Sequence, residues 1–322
     1  MAVIITLVIA AALIGCTKSS EQWPSKWHER PSYRRAVSAI AKRQAIDDSI
    51  AAPGARSILL TPGTRTPRVI VLLHGLTDSP RQFEAFAYLL RADGNNVYVP
   101  RLPRHGLLGS NVGALAGLTV SALQGVADSV IHEATGLGDS VIVVGLSMGG
   151  TIGAWIAQEY PVKRVVLIAP AIEPARIPSI LDRPIVGLAA RLPSVIRSGG
   201  LDTTRPDREL GFSSHAVAEI IRLGSLTLEL STRVPPLTKE IVLLINAGDR
   251  TVSESASERL VGNWSRHGAA VSIYELPDSL RVPHNVLQAP TSRVGGAAVL
   301  ALLRTLTYGQ TPSSVVHPVL VH

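Results

Sequence analysis

The chain has 322 residues, 31 Lys and Arg against 24 Asp and Glu, and a single cysteine, Cys16. At 46% hydrophobic and 17% charged residues it can bury a large core and is too apolar for a disordered chain. One thiol excludes an intramolecular disulfide framework and Cys-rich zinc or iron–sulfur sites made by one chain, and an aromatic content of 4% argues against a nucleic-acid surface built on base stacking.

Ala2 to Gly15 form an uncharged apolar run, AVIITLVIAAALIG, of the length of a signal-peptide core and shorter than the roughly 20 residues of a membrane-spanning helix. Its end, Leu13-Ile14-Gly15-Cys16, resembles the lipobox of bacterial lipoproteins. That resemblance implies cleavage before Cys16, diacylglycerol on its thiol, and a membrane-anchored location at the cell envelope; the alternatives are an uncleaved hydrophobic anchor with an incidental cysteine, or a secreted or periplasmic chain. The n-region departs from the pattern, since no Lys or Arg follows Met1. Residues 16–56 then read as a basic arm. Between Thr17 and Ser57 eight basic residues face four acidic ones, more than half of the chain's surplus of seven, which suits either contact with anionic headgroups or a solvated, Arg-biased arm.

From Ser57 onward strand and helix signals alternate. Ile58-Leu59-Leu60 and Arg68 to Leu73 read as strands, the second a continuous apolar run of the kind buried on both faces. Ser79-Pro80 opens a helix to about Arg91, and Asn96 to Val99 is the next strand. A helix from Leu118 to about Ala134, the strand Ser140 to Val144, a helix from Thr151 to Glu159 and the strand Arg164 to Ile168 follow. After a long interruption come the strand Ile241 to Ile245, a helix from Ser253 to about Arg266, the strand Val271 to Tyr274 and a last helix near Arg293 to Leu306. This alternation predicts an α/β fold, a mostly parallel sheet with helices on both faces, and ligands at the carboxyl ends of its strands.

Gly145-Leu146-Ser147-Met148-Gly149-Gly150 lies between a buried strand and a helix. In that place G-x-S-x-G has a physical meaning. The glycines permit a tight strand-to-helix turn that projects the hydroxyl, and the helix N-terminus favours developing negative charge. Ser147 is therefore the candidate nucleophile, which needs a base and a group that orients the base.

The order and wording of the motifs resemble the α/β-hydrolase superfamily, and within it the carboxylesterases of the monoacylglycerol lipase type, over about Ile58 to Leu306. Leu72-Leu73-His74-Gly75-Leu76-Thr77 is similar to the H-G-x segment after the third strand of that fold, and Pro100-Arg101-Leu102-Pro103-Arg104-His105-Gly106 to its P-x-L-P-G-H-G loop, with Arg104 in place of a glycine. The resemblance implies oxyanion donors at the backbone N–H groups of Leu76 and Met148, a structural His105, and the chain order Ser, acid, His. Asn246-Ala247-Gly248-Asp249-Arg250-Thr251-Val252 is similar to the segment carrying the acid, which points to Asp249, with Asp278 and Glu173 as competitors. Of the histidines after Asp249, His267 suits a helix C-terminus, and His317 and His322 lie in what reads as a tail. His284, in the loop after the final strand, takes the position of the family's base.

About seventy residues separate Ile168 from Ile241, far more than an ordinary loop, and predict an inserted cap over about 170–238. Its first half is apolar and broken by prolines, and its second contains an amphipathic helix around Ala216 to Leu223. The organisation read from the sequence is a signal peptide at 1–15, the arm at 16–56, a hydrolase domain at 57–307 and a tail at 308–322. The predicted activity is that of a serine hydrolase acting on carboxylic esters, with a small-molecule ester or lipid substrate, a membrane anchor, no cofactor, no metal and no nucleic-acid partner. Two alternatives stand beside it: a non-catalytic hydrolase-fold binding protein at the envelope, and the same triad acting on a thioester, an amide or a carbon–carbon bond.

Overall fold

The computed structural model describes residues 29–109, 112–175, 196–201, 207, 209–288, 295–312 and 316–319. The lipobox at 13–16, the first half of the cap at 176–195 and His322 lie outside them.

In chain order the strands are β1 (Ile58–Leu60), β2 (Thr66–Leu73), β3 (Asn96–Val99), β4 (Gly138–Leu146), β5 (Arg164–Ile168), β6 (Ile196–Leu201), β7 (Glu209–Ser213), β8 (Glu240–Asn246), β9 (Ala270–Leu276) and β10 (His317–Val319). Eight of them form one sheet in the order β1-β3-β2-β4-β5-β8-β9-β10, parallel from β3 to β9 with antiparallel β1 and β10 at its edges. β6 and β7 pair as a separate hairpin.

The sheet follows from the period of two in its strands. Val69, Val71 and Leu73 of β2 join one hydrophobic cluster while Ile70 and Leu72 join the other, and β4, β5 and β8 divide their residues in the same way. A strand with apolar side chains on both faces is stable only between two helical layers. One layer holds α1 (Tyr33–Ile50), α3 (Val120–Leu137), α4 (Met148–Glu159), α5 (Ser214–Ser231) and α6 (Glu254–Arg266). The other holds α2 (Glu84–Ala92) and α7 (Gly296–Tyr308). Each fully buried Val, Leu or Ile stabilises the fold by roughly 1.5–3 kcal/mol, so these two faces carry most of the driving force.

Helix starts follow local chemistry. Ser32, Thr119, Ser213 and Ser253 cap α1, α3, α5 and α6, each side chain accepting from the backbone N–H three residues on.

Three expectations change. Residues 33–50, read as part of an arm, form α1, which buries Ala36 and Ile40 against the body. Gly136 of α3 makes that packing close, because a Cβ there would lie 2.7 Å from the Ala36 Cβ. The tail at 308–322 contributes β10, whose His317 pairs with Glu275. The cap helix is also longer than the apolar signal around Ala216 to Leu223, running from Ser214 to Ser231.

Candidate active site

Ser147 stands between β4 and α4 with φ 54° and ψ −115°, a backbone conformation that side-chain-bearing residues rarely adopt. Close packing holds the turn there. A Cβ on Gly145 would lie 2.1 Å from the Gly149 carbonyl oxygen, and one on Gly149 would lie 2.0 Å from that of Leu73. Thr77, in the loop after β2, also has positive φ, at 68°. Ala169 after β5, at 41°, and Arg104 in the loop after β3, at 68°, share this conformation, so strained backbone recurs in the loops that leave the carboxyl ends of the strands.

Three side chains meet here from separated loops. His284 Nε2 lies 2.9 Å from Ser147 Oγ, and His284 Nδ1 lies 2.5 Å from Asp249 Oδ2. An ionised carboxylate only accepts, so Nδ1 carries the ring proton and Nε2 is left to accept from the serine hydroxyl. Burial pushes the Asp249 carboxyl up, but its bonds to His284 and to the Thr251 backbone N–H, at 2.7 Å, outweigh this and hold it below the ordinary carboxylate value. Among the described residues neither competing acid bonds to His284. Glu173 accepts from Arg259 at 2.6 Å, and the Asp278 carboxylate lies against the backbone of Gly248. His267 closes α6 as its C-cap.

The loops are tied to one another by a residue the sequence reading passed over. Asn246, the last residue of β8, donates from Nδ2 to the Val282 carbonyl at 2.7 Å and accepts the Gly248 N–H on Oδ1 at 3.2 Å. One buried amide therefore joins the Asp249 turn to the His284 loop. Its only signal in the sequence is a polar residue directly after the apolar run Ile241 to Ile245.

His74 does comparable work on the other side of Ser147. It is fully buried, its Nε2 accepts the Leu102 N–H at 3.1 Å, and its Nδ1 lies 2.9 Å from the Gly75 carbonyl oxygen. Nε2 being an acceptor, Nδ1 is the donor. Burial, then the neighbouring His105, keep the imidazole neutral far below its ordinary pKa. In a trans peptide the Leu76 N–H points opposite to the Gly75 carbonyl, so the ring that holds the carbonyl also aims the N–H. Among the described residues neither the Leu76 nor the Met148 N–H has a protein acceptor. His105 is structural: its Nδ1 lies 2.8 Å from the Pro103 carbonyl and its ring packs edge-on against His74 at 5.2 Å. Burial lowers its pKa to about 4.

A strand-to-helix serine, a histidine and an aspartate in hydrogen-bond sequence, with the chain order serine, aspartate, histidine, stand at the carboxyl edge of a mostly parallel sheet. The model of the alpha/beta hydrolase family matches residues 70–294. The chain belongs to the alpha/beta hydrolase family. A thermostable monoacylglycerol lipase from Bacillus sp. (strain H-257) is 26% identical to this alpha/beta hydrolase over 194 residues, covering 58% of this chain and 72% of the relative. The fold is also that of a monoacylglycerol lipase from Paleococcus ferrophilus, at TM-score 0.60 and 20% identity, with 79% of this chain and 98% of that one covered. A structure reported with the metagenome-derived lipolytic enzymes LipS and LipT gives TM-score 0.58 at 19% identity, covering 80% of this alpha/beta hydrolase and 98% of the neighbour.

Proposed function

We propose that the protein is a serine hydrolase cleaving carboxylic esters through an acyl-enzyme, with a lipid-type ester such as a monoacylglycerol as substrate. The observation that carries this reading is the continuous path from Ser147 Oγ through the His284 ring to Asp249, at 2.9 Å and 2.5 Å. The monoacylglycerol lipase relative supports the ester class.

The chemistry follows from the atoms. Ser147 Oγ attacks the ester carbonyl as His284 Nε2 takes its proton. Asp249, kept ionised by its hydrogen bonds, fixes the ring tautomer and offsets the imidazolium charge. The carbonyl oxygen becomes an oxyanion facing the Leu76 and Met148 N–H groups, and loss of one such donor typically costs about 2.7–4 kcal/mol of transition-state stabilisation. His284 then protonates the departing alcohol. Water enters and attacks the acyl carbon while giving a proton to His284, which passes that proton to Ser147 Oγ as the acyl–oxygen bond breaks and the acid leaves. Neither half-reaction needs a cofactor.

We further propose that Cys16 is acylated and holds the enzyme at the cell envelope, a reading supported by the Leu13-Ile14-Gly15-Cys16 sequence.

The deciding experiment is labelling of the purified protein with a fluorophosphonate probe, followed by a p-nitrophenyl ester chain-length series. Labelling of the parent and none of Ser147→Ala is expected, with turnover extending to medium and long acyl chains. Equal absence of label in both would leave a hydrolase-fold binding protein. Label without ester turnover would point to a thioester or amide.

A further inference from the structure

We infer that the outward face of α1, with the loop at Leu107 and Leu108, is a docking surface for an anionic phospholipid bilayer. It takes the envelope-tethering reading as its starting point and adds which side of the enzyme meets the membrane.

Arg35, Lys42, Ile46 and Ile50 fall within a sector of about 80° on α1, at 100° per residue. Ile46 is 58% exposed and Ile50 40%. Leu108, 67% exposed, is bonded beside them through its N–H to the Ile50 carbonyl at 2.7 Å. Three large apolar side chains thus stand together in solvent, with two cations on the same stripe. Neither acid of this part of the helix shares that sector. Asp47 is buried, and Asp48 faces away and pairs with Arg56 at 3.0 Å. Among the described residues Arg35 and Lys42 have no ion-pair partner. Basic and apolar groups on one face, without acids, suit a helix lying on anionic headgroups.

The neighbouring surface adds a receptacle. A cavity of about 460 Å³ opens beside Ile50 and Leu107, lined by Arg43, Arg101 and Arg104. Asp47 and Glu133 neutralise Arg101 and Arg43, while the exposed Arg104 has no acidic partner among the described residues. The surplus charge suits a phosphodiester headgroup.

Reach and orientation agree. Twelve residues lie between Cys16 and Glu29, a span of at most about 45 Å when extended, so an acylated Cys16 keeps α1 near the bilayer. The loop carrying Leu107 and Leu108 leaves the carboxyl end of β3 and reaches His74 through Leu102. Docking would therefore turn the catalytic end of the sheet toward its lipid ester.

The test uses the full chain isolated with its membrane anchor, in which the thioether-linked Cys16 offers no thiol and an introduced cysteine is unique, reconstituted with vesicles of phosphatidylglycerol or of phosphatidylcholine. An environment-sensitive fluorophore is placed at Ile46→Cys, Leu108→Cys or, as a reference on α2, Tyr88→Cys. The inference expects the first two probes to move to shorter wavelength with phosphatidylglycerol and to be quenched by brominated acyl chains, while the third stays aqueous. Charge reversal by Arg35→Glu and Lys42→Glu, or Arg104→Glu, should abolish the preference for phosphatidylglycerol, with circular dichroism checking the fold. Flotation with the vesicles is scored separately and reports attachment of the N-terminus, which holds the chain whichever of its faces meets the bilayer. Floating protein whose probes at 46 and 108 match the probe at 88 overturns the docking surface and leaves attachment intact. Shielding of those probes without vesicles, with a doubled mass in light scattering, overturns it in favour of a second copy on the same face.

Discussion

The Leu102 N–H points at His74 Nε2 from 3.1 Å, and this bond decides which side of the imidazole can serve the oxyanion segment. With Nε2 occupied as acceptor, Nδ1 donates to the Gly75 carbonyl at 2.9 Å and fixes the peptide whose N–H belongs to Leu76. His74 is a positioning residue in this scheme, because it touches the donor and never the substrate. His74→Ala should lower kcat about 100-fold, toward the range for loss of one oxyanion donor, with little change in KM. Steady-state kinetics on a soluble ester would check this. A rise in KM at constant kcat would assign the ring to substrate binding instead.

The turn at Ser147 makes a paired prediction about glycine. Gly149→Ala would bring a Cβ to 2.0 Å from the Leu73 carbonyl oxygen, a contact between two backbones that no rotamer relieves. β2 and α4 would have to separate, and Ser147 with them, so loss of soluble protein or of all activity is expected. Gly125, in α3, has nothing within 4 Å of its would-be Cβ. Gly125→Ala should stabilise the fold by about 0.4–1 kcal/mol through helix propensity and a less flexible unfolded chain. Urea unfolding of the two variants beside the parent would measure both effects.

These contrasts mark what the sequence could reveal. β2, β4, β5 and β8 were legible because strands buried on both faces are written as unbroken β-branched and aliphatic runs, and Ser147 because its glycines record a turn that admits no Cβ. Asp249 and His284 were readable as positions after strands, but their approach to within 2.5 Å depends on two loops folding toward each other. Asn246 left only a polar letter at a strand end. α1 was hidden for a different reason. Its exposed face is basic, its buried face includes Asp47, and neither resembles a core stripe. β10 is three residues long with a proline, too short for any period to register.

Asp47 explains why α1 belongs to the body. Its carboxylate accepts Arg101 Nε at 2.8 Å on one oxygen, and the Ser57 N–H and hydroxyl at 2.8 Å and 2.6 Å on the other, with the side chains of Asp47 and Arg101 only 2% and 10% exposed. Removing one partner of such a buried pair leaves an uncompensated charge, which costs about 3–5 kcal/mol. Asp47→Ala should lose that much in urea unfolding, whereas the exposed partner Asp48→Ala should lose less than about 1 kcal/mol. Equal effects of the two would mean that α1 is held by apolar packing alone.

Glu254, at the first turn of α6, gives a pH signature with a definite sign. Burial, followed by the charges of Glu275, Glu258 and Asp249, pushes its carboxyl up to about 7. A folded-state pKa above the unfolded value means that the native protein binds this proton more tightly than the unfolded chain does. Native stability from this group is therefore fully present below the ordinary carboxylate pKa and declines as pH rises toward 7. Asp249 has the opposite sign: its depressed pKa gives stability that is present above the ordinary carboxylate value and is lost as pH falls through the folded one. Because Glu254 is partly solvated, the effect must be discounted for screening, to about 1 kcal/mol. Glu254→Gln removes the charge at every pH. The variant should match the parent near pH 4 and exceed it by about 1 kcal/mol at pH 8, measured by urea unfolding across that range. A parent and variant that stay parallel from pH 4 to pH 8 would show that the Glu254 carboxyl ionises alike in the folded and unfolded chains.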